Sequence, residues 1–181
     1  QHTDTDGDPY NFQRGFLWAH MLWVMIEGEN HENYDSAPDL IDDPLCRWQH
    51  DNYLWISTGF NVLVPLALGL LTGRIWGMLL WAGLLRVVVL HHFTFFINSL
   101  AHMWGRRPWS GDESARDNGI LAFFTLGEGY HNFHHVFPGD YRNGFRWYQF
   151  DPTKWTIWLL SKVGLAHDLR RSAIDHRLRR R

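Results

Sequence analysis

Cysteine is almost absent from this chain of 181 residues, which contains only Cys46. A single cysteine excludes an internal disulfide framework and any metal or iron–sulfur site that needs several thiolates. Basic residues are scarce at one end, because residues 1–51 hold two Arg against 11 Asp or Glu, whereas residues 103–181 hold 13 Lys or Arg against 8 acids. The net charge of −2 is therefore a cancellation between two oppositely charged flanks.

Charged residues are missing from the 20-residue stretch Tyr53–Thr72. At about 1.5 Å per residue, a helix of this length spans the ~30 Å hydrocarbon core of a bilayer. After Gly73 and Arg74, a second apolar run extends to about residue 100. We therefore predict a transmembrane hairpin at about residues 53–100, with a kink at Pro65. The alternative is a buried helical hairpin in a soluble protein.

The distribution of charge predicts the orientation of such a hairpin. Its turn carries only Arg74, while the segment after it carries 13 Lys or Arg. Because positive charge is retained on the cytoplasmic side, both flanks of the hairpin are expected there. The second run contains three polar residues, Arg86, His91 and His92. Because polar side chains are costly in lipid, we expect these three to face the protein interior.

Aromatic residues are abundant, at 16% of the chain with 11 Trp. Trp and Tyr favour the membrane interface, where an amphipathic ring meets both solvents. The Trp-rich segments 15–26 and 152–166, the latter with Lys154 and Lys162, are predicted to be amphipathic helices in the interface plane, with packing on a core as the alternative. The basic tail 170–181 is expected to contact anionic lipid headgroups rather than nucleic acid, with a solvated tail as the alternative.

Three of the 12 histidines form the motif HNFHH, as His131, His134 and His135. The spacing i, i+3, i+4 places their side chains on one face of a helix. Imidazoles that converge in this way can bind Zn, Cu, Fe or Ni, and the spacing does not choose among these metals. The alternative is a set of core histidines that hydrogen-bond within the protein.

A second polar stripe, Thr94, Asn98 and His102, recurs every four residues and ends at the membrane boundary. Asn98 and His102 are candidates to bind a metal, directly or through water, or to hydrogen-bond a neighbouring helix. Four histidines and one asparagine exceed a tetrahedral zinc site and suit part of a larger iron site that activates oxygen. The residues alone therefore indicate a membrane metalloprotein.

Three segments resemble the membrane fatty acyl desaturases of the delta-9, stearoyl-CoA desaturase type. GEGYHNFHHVFPGDYR at 127–142 is similar to the last histidine box of that family, and NSLAHMWGRRP at 98–108 to its Asn-Ser-x-x-His segment. HTDTDGDPYNFQRGFLWAH at 2–20 resembles the stretch after the second box. The resemblance implies an all-α membrane protein, in which a cytosolic helical cap from residues 1–50 and 103–181 carries a histidine-rich di-iron site.

The resemblance also implies the roles of individual residues. Direct iron ligands would be His102, His131, His134 and His135. Asn98 would hold iron through a water molecule. No catalytic residue is expected beyond these metal ligands. The implied reaction uses O2 and two electrons to place a cis double bond, at delta-9, in a fatty acyl-CoA or acyl-lipid during unsaturated fatty acid biosynthesis. The electrons would come from a donor such as cytochrome b5 or a ferredoxin.

The substrate site is expected to involve residues near the second stripe. By resemblance, Thr94 matches a Thr at the bend of the acyl tunnel, with simple helix packing as the alternative. Phe95 stands where the family often has Trp. Arg14 is a candidate to meet the phosphates of an acyl carrier, with contact to lipid headgroups as the alternative. The consecutive pair His91-His92 before Thr94 resembles bacterial members of the family, which implies a bacterial plasma membrane and not the endoplasmic reticulum.

The first and second histidine boxes of the family, H-x4-H and H-x-x-H-H, do not occur in these 181 residues. His2 and His20 lie in neither pattern. We therefore expect residues 1–181 to be the carboxyl-terminal part of one desaturase domain, with the second box just before Gln1, and expect this piece alone neither to hold two irons nor to catalyse. The alternatives are a related di-iron hydroxylase of fatty acids or alkanes, and a non-catalytic membrane metal-binding protein.

Overall fold

A computed structural model describes residues 5, 7–26 and 38–173 of the chain, with the side chain of residue 39 excepted. Regular structure in these residues is helical, and extended pairing is limited to isolated bridges that join Asp117 to Arg106 and to Tyr130. The predicted all-α class is thereby confirmed. The lipid contact predicted for the end of the basic tail falls on residues 174–181, outside the described residues.

Eight helices follow one another along the described residues. Helix α1 joins a π-helical turn, Trp18–Leu22, to the α-helical Trp23–Ile26, and a 3-10 turn, Phe12–Arg14, precedes it. Helices α2 to α8 are Pro38–Asp42, Pro44–Asp51, Tyr53–Thr72, Ile75–Met103, Gly119–Phe124, His131–Val136 and Pro152–Lys162. The chain divides into two compact units, one formed by Gly28–His92 and the other by Gln1–Glu27 with Phe93–Arg181.

The two longest helices, α4 and α5, have the length and composition of membrane spans. They contain 20 and 29 residues, with mean hydropathy of 1.8 and 1.6 in their most apolar windows. In the most apolar 18 residues of each helix, only 11% of the residues of α4 and 6% of those of α5 are buried. A core helix of a soluble protein is mostly buried. The predicted pair of long apolar helices is therefore confirmed, and its low burial argues against the soluble hairpin.

A tight turn between α4 and α5 depends on two glycines. Gly73 has φ +66° in the left-handed region and follows the last residue of α4. Its N–H donates to the Leu70 carbonyl at 3.4 Å, and the Arg74 N–H donates to the Gly69 carbonyl at 2.9 Å, which is the Schellman pattern. A Cβ on Gly69 would lie 2.6 Å from the Cα of Ile75. Glycine at both positions therefore allows the chain to reverse within two residues.

Pro65 lies just after a π-helical turn, Gly59–Leu63, in the middle of α4. Proline has no N–H to donate and its ring crowds the carbonyl four residues earlier, which is that of Asn61. The wider π turn gives this carbonyl more space. The kink predicted at Pro65 stays a prediction, but the local change in helix type occurs where proline requires one.

Polar residues of the second run were expected to face the protein interior. The Arg86 guanidinium hydrogen-bonds the Asn61 side chain of α4, and its Nε donates to the Ala82 carbonyl at 2.9 Å. The His91 Nδ1 lies 2.7 Å from the Val87 carbonyl. Arg86 and His91 nevertheless remain exposed in this chain, because a hairpin of two helices covers only one side of each.

In the second unit, the loop before α8 is organised by a buried aspartate. Asp151 Oδ2 accepts the N–H groups of Asn143 at 2.9 Å and Gly144 at 2.8 Å, while Oδ1 accepts that of Lys154 at 2.8 Å and caps the helix. Gly127, at φ +112°, faces this carboxylate, and a Cβ there would lie 2.7 Å from Oδ1. A side chain at position 127 would therefore displace the aspartate.

The position of Lys154 differs from the prediction of an interfacial lysine. Its Nζ is buried and donates to the carbonyls of Gly144 at 2.7 Å, Arg146 at 3.0 Å and Gln149 at 3.3 Å. Burial lowers the pKa of this amine. Three carbonyls of the preceding loop accept hydrogen bonds from the ammonium group inside the protein. These bonds take the place of hydrogen bonds to water or lipid headgroups at the membrane interface. Helix α8 also ends at Lys162 instead of residue 166.

Candidate metal centre

The structure brings together three histidines from two helices. One ligand nitrogen from each of His102, His131 and His135 lies within 4.8 Å of the other two. His102 is on the last turn of α5, and the other two are on α7. The ring centroid of His102 is 4.9 Å from that of His131 and 5.2 Å from that of His135. His102 thus forms one cluster with two histidines that follow it by 29 and 33 positions in the chain.

His102 reaches the cluster through a change in the backbone of α5. Ser99 leaves regular helical geometry, at φ −108° and ψ −77°, and its Oγ donates to the Phe95 carbonyl at 2.8 Å. The His102 N–H then donates to the Ser99 carbonyl at 3.1 Å, three residues back, which tightens the last turn. The ring of Phe12 stacks against His102, with 6.0 Å between the ring centroids.

Helix α7 has only six residues and depends on its neighbours for its first hydrogen bonds. The His131 N–H donates to the Arg116 carbonyl at 3.3 Å, and the Phe133 N–H donates to Asp117 Oδ1 at 3.1 Å. The other oxygen of Asp117 accepts the indole N–H of Trp109 at 2.9 Å. Burial raises the pKa of Asp117, although these hydrogen bonds act in the opposite direction. A carboxylate here satisfies helix N–H groups that would otherwise be unpaired.

The histidine nitrogens differ in their partners. His131 Nε2 and His135 Nε2 lie 3.1 Å apart, while the buried Nδ1 of His131 has no hydrogen-bond partner. Burial, and then the neighbouring histidines, lower the pKa of His131 well below its ordinary value. The ring is therefore neutral at pH 7, which is the form that binds metals. Three converging imidazoles, of which His131 is neutral and has an unpartnered buried nitrogen, fit a metal ion.

Two residues predicted to accompany this cluster, His134 and Asn98, lie on the same two helices. His134 shares α7, but it is not among the three residues with ligand atoms within 4.8 Å, and its ring centroid is 5.8 Å from that of His131. The spacing i, i+4 gives the two clustered histidines a common direction, whereas position i+3 turns part of the way round the helix. Asn98 is half-buried on α5, one turn before His102.

Of the predicted substrate residues, Arg14 lies in the 3-10 turn before α1, and Thr94 and Phe95 lie on α5. Thr94 is exposed and Phe95 is half-buried. The edge of Phe95 faces the ring of His20, with 5.8 Å between centroids. Arg14 is exposed, and its guanidinium lies 4.6 Å from the centroid of the Trp18 ring. The structure places Phe95 and His20 together, and Arg14 on an aromatic surface.

His20 is buried, which differs from its expected position in an interfacial helix. Its Nδ1 lies 3.1 Å from Ser99 Oγ, and its ring centroid is 4.6 Å from that of Phe96 and 5.1 Å from that of Phe16. Burial of this face follows from the contact between α1 and the end of α5. These contacts with aromatic rings and a hydroxyl are typical of a histidine packed in a protein core.

Sequence reasoning missed the segment 109–118, which contacts two histidines of the cluster. His102 Nδ1 is 2.5 Å from Ser114 Oγ, and His135 Nδ1 is 3.7 Å from Glu113 Oε2. The Asn132 side chain also fastens this segment to α7, because it accepts the Trp109 N–H at 2.9 Å. The only sequence signal was a polar loop between two histidine-bearing segments, and it does not reveal which loop residue meets which ring.

Comparisons with known proteins agree with the family resemblance. A family model described as "Fatty acid desaturase" matches residues 1–167. The chain is 45% identical over 171 residues to the "Probable acyl-CoA desaturase" of Schizosaccharomyces pombe, covering 93% of this chain and 36% of that protein. It is 39% identical over 171 residues to the "sn-2 palmitoyl-lipid 9-desaturase" of Nostoc sp., covering 91% of this chain and 58% of that protein.

A third relative, the "Stearoyl-CoA desaturase 5" of Bos taurus, is 35% identical over 182 residues, which cover 95% of this chain and 53% of that protein. The chain therefore spans between about a third and somewhat more than half of the curated relatives it matches. Because a yeast protein is among the most similar, the comparisons do not support the predicted bacterial origin.

Proposed function

The chain belongs to the fatty acid desaturase family, and we propose that the protein of which it is part places a cis double bond, at delta-9, in a saturated fatty acyl chain. The substrate is an acyl-CoA or an acyl-lipid, the two classes named in its relatives. Two adjacent methylenes each lose one hydrogen. One O2, these two hydrogens, two electrons and two protons together give two waters, so the reaction balances.

The observation that carries this proposal is the convergence of His102, His131 and His135 within 4.8 Å. Three imidazoles on one centre leave coordination positions open for oxygen or a further ligand. Iron bound there would supply the oxidising power needed to remove hydrogen from an unactivated carbon, which redox-inert zinc cannot provide. His131 serves as a ligand because burial keeps it neutral.

A di-iron centre needs more ligands than these three histidines. We assign His134 to direct coordination and Asn98 to coordination through water, since both lie within a few residues of the cluster on the same two helices. The remaining ligands would come from histidine boxes outside these 181 residues. In this proposal, residues 1–181 form one part of a single desaturase domain.

The proposed acyl site runs from the cluster along α5. Thr94 and Phe95 precede Asn98 by about one helical turn and would line the bend of the acyl chain. Arg14, exposed on the ring of Trp18, would meet the phosphate groups of the acyl carrier. An external donor, such as cytochrome b5 or a ferredoxin, would deliver the electrons. The cluster would lie on the cytoplasmic side, because the basic residues after the hairpin favour that side.

The test is expression of the complete protein in a host that lacks delta-9 desaturation, followed by analysis of its fatty acids. We expect new cis-monounsaturated chains and about two irons per polypeptide in the purified protein. An alcohol in place of the alkene would assign the protein to the hydroxylases. Purified protein that holds iron and forms neither product, with electrons and O2 supplied, would contradict the proposal.

A further inference from the structure

We propose that Ser114 is a positioning residue that orients His102 towards the metal held by the histidine cluster. The inference rests on the proposed metal centre, and it concerns a residue that is not itself a ligand. A ligand histidine has two ring nitrogens, so the partner of one nitrogen decides which one faces the metal.

The contact between these two side chains is short and enclosed. Ser114 Oγ lies 2.5 Å from His102 Nδ1. Ser114 is 6% exposed and His102 is 4% exposed, so the interior of the protein, not bulk water, surrounds this pair. With Nδ1 turned to the hydroxyl, Nε2 is the nitrogen that His102 presents to the cluster.

The backbone around Ser114 is fixed to the turn that carries His102. The Arg116 N–H donates to the Ala101 carbonyl at 2.7 Å, and Arg116 Nε donates to the His102 carbonyl at 3.3 Å. Ala115, between Ser114 and Arg116, is completely buried. Because three consecutive residues are held in place, the hydroxyl has a defined position before any metal binds.

The chemical role follows from the tautomer that a metal ligand needs. A neutral histidine that binds a metal through Nε2 carries its proton on Nδ1, and this N–H needs an acceptor when it is buried. With the metal on Nε2, the Ser114 oxygen would accept this N–H, and the contact holds the rotation of the ring. Phe12 also stacks against a face of this ring, with 6.0 Å between the ring centroids. Serine and phenylalanine together leave His102 one orientation.

The experiment uses the complete protein, purified in detergent with its iron. Ser114→Ala removes the acceptor, Ser114→Thr keeps a hydroxyl, and Ser110→Ala is the matched control. Ser110 lies in the same loop, and its Oγ accepts the N–H of Asp112 at 3.1 Å. Iron per polypeptide and the rate of iron loss to a chelator are measured, together with the thermal midpoint of the iron-free protein.

We expect Ser114→Ala to weaken iron binding by about 10- to 100-fold, the usual effect of losing the partner of a ligand histidine. Ser114→Thr and Ser110→Ala should retain iron as the wild type does, and the iron-free midpoints of all four proteins should agree. Iron retention by Ser114→Ala equal to the wild type would overturn the proposal. Equal loss in the Ala and Thr variants with a lowered iron-free midpoint would also overturn it, since packing would then explain the effect.

Failure of the proposed function gives a different result. A wild-type protein that binds iron but forms no alkene contradicts the desaturase assignment, while the dependence of iron binding on Ser114 still stands. A wild-type protein that binds no iron overturns the positioning role itself.

Discussion

The hairpin unit and the histidine-bearing unit place their side chains in opposite ways. On α4, and on α5 as far as His92, most leucine and tryptophan side chains are exposed, whereas the unit that holds the histidine cluster buries Asn132 and Asp151 completely. A lipid environment makes exposed apolar surface favourable, and it requires backbone groups to pair within each helix. Buried polar groups are stable only when each finds a hydrogen-bond partner. The hairpin unit is therefore suited to lipid around its apolar surface, and the histidine-bearing unit depends on hydrogen bonds between buried polar groups.

The largest expected effect is the loss of activity when a histidine of the cluster is replaced. His131→Ala in the complete protein should lower desaturation by about 100-fold or more, because loss of a ligand should exceed the 10- to 100-fold effect of losing a supporting partner. His167→Ala is the matched control, since that histidine is exposed. Alkene formation and iron content measure the effect. Full activity in the His131 variant would contradict the assigned centre.

Next is the buried carboxylate that organises the loop before α8. Asp151→Ala should lower the free energy of unfolding by about 3 kcal/mol or more, because it leaves several buried N–H groups unpaired at about 1–3 kcal/mol each. Asp168→Ala, at an exposed carboxylate, should change it little. Thermal unfolding of the purified variants measures the difference, and equal midpoints would refute the importance of buried pairing.

The hairpin should respond to charge as a lipid-facing surface does. Leu84→Arg on α5, where Leu84 is 62% exposed, should cost about 2.5–3.5 kcal/mol of membrane insertion. Trp147→Arg, at a loop residue that is 85% exposed, should be nearly neutral. Insertion of a reporter fusion into membranes tests the pair. Equal insertion of both variants would show that Leu84 faces water or protein.

A smaller effect depends on pH. Burial opposes ionisation of Asp140, yet hydrogen bonds from Arg142 and from the N–H of Ser172 outweigh it and lower the carboxyl pKa. The pKa of Asp140 is lower in the folded protein than its value of 3.8 in the unfolded chain, so ionised Asp140 stabilises the fold above that pH. This stabilisation is lost as the pH falls through the pKa of the folded state. The difference in thermal midpoint between wild type and Asp140→Asn should therefore be constant from pH 7 to about 5 and shrink below about pH 4. A constant difference down to pH 3 would refute the shift.

The smallest effects compare two helix caps. Asn118 Oδ1 accepts the N–H groups of Ile120 at 2.9 Å and Leu121 at 3.1 Å in a buried setting, while Asp43 Oδ1 accepts that of Leu45 at 2.8 Å where water is present. Asn118→Ala should cost about 1–2 kcal/mol and Asp43→Ala about 0.5 kcal/mol. Chemical denaturation measures both variants. A larger cost at Asp43 would reverse the expected influence of burial.

Much of the helical content was predictable because its signals are local. The absence of charge over Tyr53–Thr72 predicts α4, and Gly73 marks its end. The spacing of His131 and His135 predicts their common face on α7. The burial of Lys154 was not predictable, because the three carbonyls that bind it belong to a loop whose path is not determined by any periodic pattern.

The sequence by itself determined the two long apolar helices, the histidine-bearing helix and the family resemblance, because periodicity and short motifs act over a few residues. Only the tertiary structure decided that His102 joins His131 and His135 and that His134 stands beside the cluster. It also decided that Ser114 and Asp117 support the two helices. These arrangements depend on where a non-helical loop returns, and its path is set by hydrogen bonds between residues distant in sequence.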